Sequence, residues 1–284
     1  MDFKFELELL KASKYNPNFI WRVIVWRLTR ILYYRLPLSK PTKDRFRLKI
    51  KRLLQGDIIL SHENGKFLIN SVDQWSKALP TFEPFTRQVI KENYERHRQN
   101  PGIFLDIGAN IGTFSIMGGR LGYKVYAFEP APQTLRLLRS NIELNNLKGK
   151  VIPLSYALSD VEENKTFYFF ETAEGSSSLE GDLARFQRIG IKPKQFSIKT
   201  KRLDDWMQEE GVNPDEIRLI KIDVEGHEWH LLKGAKQTLQ ALHDVDVIME
   251  IWQDHPKRDA TVSFMKSLGY AVKQLNKDYW LFQK

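Results

Sequence analysis

The sequence predicts an α/β fold. A doubly wound parallel sheet carries helices on both faces, a C-terminal antiparallel hairpin and an N-terminal helical and hairpin extension. Two observations carry this expectation. Between residues 103 and 251, short apolar runs alternate with stretches of helical length, and such alternation builds parallel sheets. The first run, Ile103 to Ile107, leads into a glycine-rich turn, D-I-G-A-N-I-G at 106–112, and the second ends in F-E-P at 128–130. A strand, a glycine turn opening a helix, and a strand ending in an acid form the start of a nucleotide-type binding unit.

The elements follow in order. Residues 18–36 have helical length, with Trp21, Val25, Leu28 and Leu32 on one stripe, Arg22, Arg27 and Arg30 away from it, and Pro37 as the stop. Residues 57–70 read as a β-hairpin turning at Asn64-Gly65. A helix spans 84–97, and Pro101-Gly102 opens the first core strand, 103–107. Helix 112–121, strand 124–128, helix 132–146 and strand 150–154 come next. A strand at 166–170 precedes a small polar loop, A-E-G-S-S-S-L-E-G at 173–181. Strand 196–201, helix 203–210 and strand 217–222 lead to K-I-D-V-E-G-H-E at 221–228. Helix 227–242, strand 245–251, helix 257–268 and the hairpin 270–275/279–283 complete the chain. Two units are expected: a basic extension, 1–80, and a ligand-binding domain, 81–284.

Composition narrows the chemistry. The chain of 284 residues has no cysteine, which excludes disulfides, thiolate zinc sites and a cysteine nucleophile. It contains no signal-peptide pattern and no long uncharged apolar run, so a cytoplasmic protein is expected. Residues 1–60 hold 14 Lys and Arg against 5 Asp and Glu, which is the whole net charge of +9. The basic helix 18–36 suits packing on the domain or on a second copy in a homo-oligomer. It also suits peripheral contact with an anionic membrane, which would lie at the inner surface. Packing is the expectation. No nucleic-acid motif accompanies the charge, so no nucleic-acid partner is expected.

In open α/β sheets, ligands bind outside the carboxyl ends of the strands. Asp106, Glu129, Asp223, Glu225, His227 and Glu250 collect there. The spacing G-x-x-x-G, with no Lys-Ser/Thr after it, disfavours a pyrophosphate. Asp106 suits a cationic ligand end, and Glu129 suits the two hydroxyls of a ribose. Asp223, Glu225 and Glu250 should converge on adjacent strands. One of these carboxylates, or His227, can serve as general base to a hydroxyl. Alternatively, the three acids can hold a hard cation such as magnesium (Mg2+). His230 and His243 fall in a helix and read as packing or surface residues; His255 sits in a loop before Pro256.

Taken together, D-I-G-A-N-I-G at 106–112, F-E-P at 128–130, A-L-S-D at 157–160, L-D-D-W at 203–206 and I-K-I-D-V-E-G-H-E at 220–228 resemble an FkbM-type methyltransferase. F-E-P-F-T at 82–86 is similar to the segment preceding the glycine motif in that family. The resemblance implies the class I methyltransferase sheet, with S-adenosylmethionine as methyl donor and a hydroxyl of a sugar, glycan or secondary metabolite as acceptor. By position, Asp106, Gly108, Ala109, Asn110 and Gly112 would hold the methionine end, Glu129 with Pro130 the ribose, and Tyr156, Ala157 and Leu158 the adenine. Asp223, Glu225 and His227 would face the acceptor, and Gly175–Leu179 would border it. A second reading keeps the fold as a non-catalytic module that binds a nucleoside-type ligand and acts through its basic helix.

Overall fold

The computed structural model describes residues 17–62, 64–70, 72–79, 81–170, 177, 179 and 193–284. Helices α1 (Pro17–Arg35) and α2 (Lys40–Leu53) precede the hairpin β1 (Ile58–His62) and β2 (Gly65–Ile69). Helices α3 (Val72–Lys77) and α4 (Pro84–Arg96) lead into β3 (Ile103–Ile107), α5 (Thr113–Leu121), β4 (Lys124–Phe128), α6 (Pro132–Leu144) and β5 (Val151–Leu154). A small sheet follows: β6 (Ala157–Leu158), β7 (Asn164–Phe169) and β8 (Lys194–Lys201). The second half consists of α7 (Leu203–Glu209), β9 (Ile217–Ile222), α8 (Glu228–Gly234), α9 (Lys236–Ala241), β10 (Asp246–Glu250), α10 (Arg258–Ser267), β11 (Ala271–Gln274) and β12 (Tyr279–Gln283).

The main sheet has seven strands in the order β11-β12-β10-β9-β3-β4-β5. Strands β10, β9, β3, β4 and β5 run parallel, and β12 lies antiparallel between β10 and β11. Every residue of β3 is buried, as expected for a strand covered on both faces. One apolar layer joins α4, α5 and α6 to the sheet; the other lies under α7 to α10.

The extension belongs to the first of these layers. Phe19, Val23, Trp26, Leu60, Phe67 and Trp75 share one cluster with Phe104, Ile116 and Leu138. Strand β2 lies against α6, where the Asn141 and Asn145 amides bond the backbones of Leu68 and Lys66. The hairpin register pairs His62 with Gly65, so Gly65 is a strand residue and not the second turn residue that Asn64-Gly65 suggests.

Two further expectations need correction. The stripe Trp21, Val25, Leu28 and Leu32 is not the buried face of α1. Phe19, Val23, Trp26 and Thr29 are buried instead, while Leu28 is 54% exposed. The helix is apolar around most of its circumference, so periodicity offers two faces, and tertiary contacts select one. Phe19 meets Trp75 edge-on at 4.9 Å. Arg22, away from that stripe as expected, turns inward and donates to the carbonyls of Leu54 (3.3 Å) and Gly56 (3.0 Å). The helix expected over 227–242 is broken between α8 and α9 at Ala235. There the chain passes so close to the loop after β6 that a Cβ on Gly234 would lie 1.9 Å from the Ser159 carbonyl oxygen. Helices α2 and α3 have no counterpart in the expectation.

Candidate active site

The chain winds from β3 through β4 to β5 on one side, then returns to place β9 and β10 on the other. The switch point therefore lies between β3 and β9, where α/β sheets bind ligands. A cleft opens there, lined by Gly108, Asn110, Glu129, Pro130, Tyr156, Ala157, Asp223, Glu225 and His227 among others. Ser177 and Leu179 also line it; the rest of the loop 175–179 lies outside the described residues.

The glycine turn is shaped by its neighbours as much as by any ligand. Gly108 has φ +79°, and a Cβ there would sit 1.8 Å from the Asp223 carbonyl oxygen. Gly112, at φ +90°, would place a Cβ 2.6 Å from Leu138. Only glycine tolerates both the conformation and the approach. Asn110 takes a left-handed conformation, φ 53°, and its side chain accepts from the Ile111 N–H at 2.9 Å. The Asn110 N–H donates to Glu129 Oε2 at 3.0 Å, and the Ala131 N–H to Oε1 at 2.9 Å. Two backbone amides thus fix the Glu129 carboxylate on the cleft wall. Ala109 and Gly112 shape the turn and are absent from the cleft lining.

Asp106 is set differently. It is fully buried behind the wall, bonded to the Ser115 hydroxyl. Its strand register pairs it with Lys221 of β9. Burial pushes its carboxyl up, and Lys221 opposes that shift.

Asp223, Glu225 and Glu250 do converge, with one carboxylate oxygen from each lying within 4.8 Å of the others. Two features bring them together. The parallel register of β9 and β10 sets Met249 beside Ile222, one residue before Glu250 and Asp223. Glu225 then adopts the left-handed conformation, φ 55°, followed by Gly226 at φ 98°. A non-glycine residue held there reflects a constraint imposed by its surroundings.

The electrostatics follow from burial and one cation. Lys221 Nζ is 3.0 Å from Asp223 Oδ2, and the lysine is almost fully buried. Burial opposes its ammonium, but the charges of Asp223, Glu83 and Asp106 outweigh that and hold it above the usual lysine range. Burial likewise opposes ionisation of Asp223; Lys221, a hydrogen bond from Glu250 and the charge of Lys77 overcome it, so Asp223 lies below its ordinary value. Burial and then Asp223 push Glu225 well up. Burial, then the charges of Asp223 and Glu225, push Glu250 up to about 11. Three carboxylates this close cannot all ionise beside one lysine. Asp223 is the anion of the set, and Glu250 holds a proton. Asp223 Oδ1 is buried and meets no permanent donor among the described residues.

His227 is also buried. Its Nε2 lies 2.9 Å from the Ser159 hydroxyl, and its ring stacks on His230 at 4.9 Å. His230 and Lys233 both bond Asp160, so this group ties the loop after β9 to the loop after β6. Glu228 accepts from the Gly226 N–H at 3.1 Å, and burial pushes its carboxyl up to about 7.

The sequence reading missed Lys221, Glu83, Tyr279 and Lys77 as members of the site. Glu83 sits in a left-handed conformation at the head of α4, bonded to the Thr86 hydroxyl at 2.8 Å and to Tyr279. Lys77, the last residue of α3, lines the cleft. Lys221 had a readable signal: a lysine inside an apolar strand must be paired, and Asp106 sits inside the neighbouring one.

Comparison with known proteins gives the family. The profile described as the methyltransferase FkbM domain matches residues 106–272. The chain belongs to the FkbM methyltransferase family. Among similar proteins, the hexuronic acid methyltransferase AglP of Haloferax volcanii is 32% identical over 220 residues, covering 75% of this chain and 82% of that protein. The 31-O-demethyl-FK506 methyltransferase FkbM of Streptomyces tacrolimicus is 29% identical over 188 residues, covering 54% and 71%. A SAM-dependent methyltransferase from Agrobacterium tumefaciens superposes with a TM-score of 0.43 at 11% identity, covering 80% of this chain and 69% of that one. The FkbM match runs from Asp106 in β3 to Val272 in β11, leaving α1 to α4 outside it.

Proposed function

We propose that this FkbM-family enzyme transfers a methyl group from S-adenosylmethionine to a hydroxyl oxygen of a sugar, glycan or related metabolite, with Asp223 as proton acceptor. The carrying observation is the position of Asp223: on the cleft wall and bonded at 3.0 Å to the buried Lys221, whose charge favours the ionised carboxylate. The relatives named above, one for a hexuronic acid and one for an O-linked position, support the acceptor class.

The cleft fits the donor. The Glu129 carboxylate is held rigidly at a strand tip, where a ribose diol can donate to it. Tyr156 and Ala157 offer an apolar edge for a base, and the acids around Asp223 suit a cationic end. S-adenosylmethionine supplies a methyl carbon on a sulfonium; transfer forms the O–C bond, breaks the C–S bond and leaves a neutral thioether. Asp223 takes the acceptor's hydroxyl proton, and Lys221 steadies the carboxylate beforehand. Asp223 lines the open cleft, so the proton it gains leaves to solvent once the products depart. Glu225 is placed to orient the acceptor, while His227, tied to Ser159, holds the loop that carries both acids.

A second reading assigns Asp223, Glu225 and Glu250 to a magnesium ion, since oxygen donors suit a hard cation. Lys221, 3.0 Å from Asp223, already supplies a compensating cation, which favours the proton-acceptor reading.

Asp223→Asn tests the assignment. The amide keeps the shape but cannot take a proton. We expect transfer to a panel of hexuronic acid glycosides, followed as release of the demethylated donor, to fall by about a hundredfold or more. Titration calorimetry should show donor binding retained. Turnover within a few-fold of the parent would sink the role of Asp223.

A further inference from the structure

Helix α1 has a second apolar face that stays exposed among the described residues. Trp21, Ile24, Leu28, Ile31 and Leu32 are all exposed. At 100° per residue they fall within roughly 100° of the helix circumference, opposite the buried face of Phe19, Val23 and Trp26. Helix α2 packs on the other side of α1, where Arg47 lies over the rings of Trp26 and Tyr33 and Tyr33 donates to Asp44 at 2.8 Å. A contiguous exposed patch of five large apolar side chains marks an interaction surface.

Charge identifies its occupant. Residues 17–53 contain 11 Lys and Arg and a single acid, Asp44, and that acid is bonded to Tyr33. A second copy laid on this face would bring the same cationic segment against itself, at a repulsive cost. A polyanionic nucleic acid would satisfy the charge but leave the leucines and the tryptophan with no apolar medium. An anionic bilayer satisfies both: acyl chains take the apolar face and lipid phosphates take the arginines and lysines. Arg35 shares the exposed arc, and its long stem lets the guanidinium reach headgroups while the neighbouring side chains insert. Trp21 has the amphipathic ring favoured at the membrane–water boundary. No helix of the described residues is long and apolar enough to cross a membrane, so the contact is in-plane.

We infer that α1 is an interfacial helix, docking the enzyme on a bilayer surface rich in anionic lipid through Trp21, Ile24, Leu28, Ile31 and Leu32. The test is co-sedimentation of the full chain with phosphatidylcholine vesicles, with and without phosphatidylglycerol, at low and high salt. The variants are Leu28→Ser with Leu32→Ser, and Arg35→Glu with Lys40→Glu. All four positions are exposed, so melting temperatures should match the parent and serve as the fold control. The expected result is binding to the phosphatidylglycerol vesicles only, weakened by salt and reduced about tenfold or more in each double variant. No vesicle binding, or binding undiminished in the leucine variant, overturns the inference. So does a two-chain mass in light scattering that the leucine variant returns to one chain, because the face would then serve a second copy.

Discussion

Replacing Lys221 with methionine removes the only cation bonded directly to Asp223 among the described residues. The aliphatic stem is largely preserved, so packing changes little. Asp223 and Asp106 then stay buried without their compensating charge, as does the raised Glu83 nearby. Breaking a buried pair by removing one partner costs about 3–5 kcal/mol. At roughly 2–4 °C per kcal/mol, the melting temperature should fall by about 10 °C at pH 8. The pH dependence has a definite sign. In the parent, Lys221 depresses Asp223, so this contribution is present above the ordinary carboxylate range and lost as pH falls through the depressed value. In the variant, Asp223 rises and takes up a proton readily, which relieves the buried charge. The gap between parent and variant should therefore narrow at pH 5, by about 1.4 kcal/mol for each pKa unit by which Asp223 of the variant lies above pH 5. Melting followed by circular dichroism at both pH values measures this. An equal penalty at pH 5 and pH 8, or one below about 1 kcal/mol at pH 8, would refute the charge argument and leave Lys221 a packing residue.

Two further outcomes are expected. Glu129→Ala should weaken S-adenosylmethionine binding about tenfold or more in titration calorimetry, since charge-assisted bonds contribute roughly 1.5–3 kcal/mol; unchanged affinity would remove the ribose assignment. Glu228, raised to about 7 by burial, favours the fold below the unfolded carboxylate value and loses that contribution as pH rises through 7. Glu228→Gln should therefore stabilise the protein at pH 8, by up to about 3 kcal/mol, and change little near pH 4.5; denaturant titration at the two pH values decides it.

The core strands were readable because each is a short apolar run bounded by glycine, proline or an acid, and burial on both faces demands such runs. The convergence of Asp223, Glu225 and Glu250 was readable for a related reason, since strand ends at one edge of a parallel sheet must meet. The inner face of α1 was not. Its sequence offers two apolar faces, and tertiary contacts determine which side turns inward, among them Trp75 and the carbonyls of Leu54 and Gly56. Helix α2 escaped notice because charges are spread along its length, so its apolar stripe is weak. Glu83 and Tyr279 reach the site from segments far apart in the chain, and no local pattern announces a contact of that kind. Asp106 looked like a ligand-facing acid because it abuts the glycine turn. The alternation of strand side chains instead sends it behind the wall, to Lys221.

The sharing of one apolar layer between residues 19–79 and the sheet has a consequence for the order in which the chain becomes stable. Phe67 and Trp75 leave the ribosome long before Leu138, and the amides of Asn141 and Asn145 that hold β2 come later still. Until then the hairpin has nothing to lie on, and isolated hairpins are marginal in water. The early part of the polypeptide must therefore wait, with its aromatic side chains uncovered, for α6 to be made. A fragment trimmed to residues 106–272 would meet the converse difficulty. It would carry the whole family signature and lack the partners that Ile116 and Leu138 find in Phe67 and Trp75, so it should aggregate where the longer chain folds.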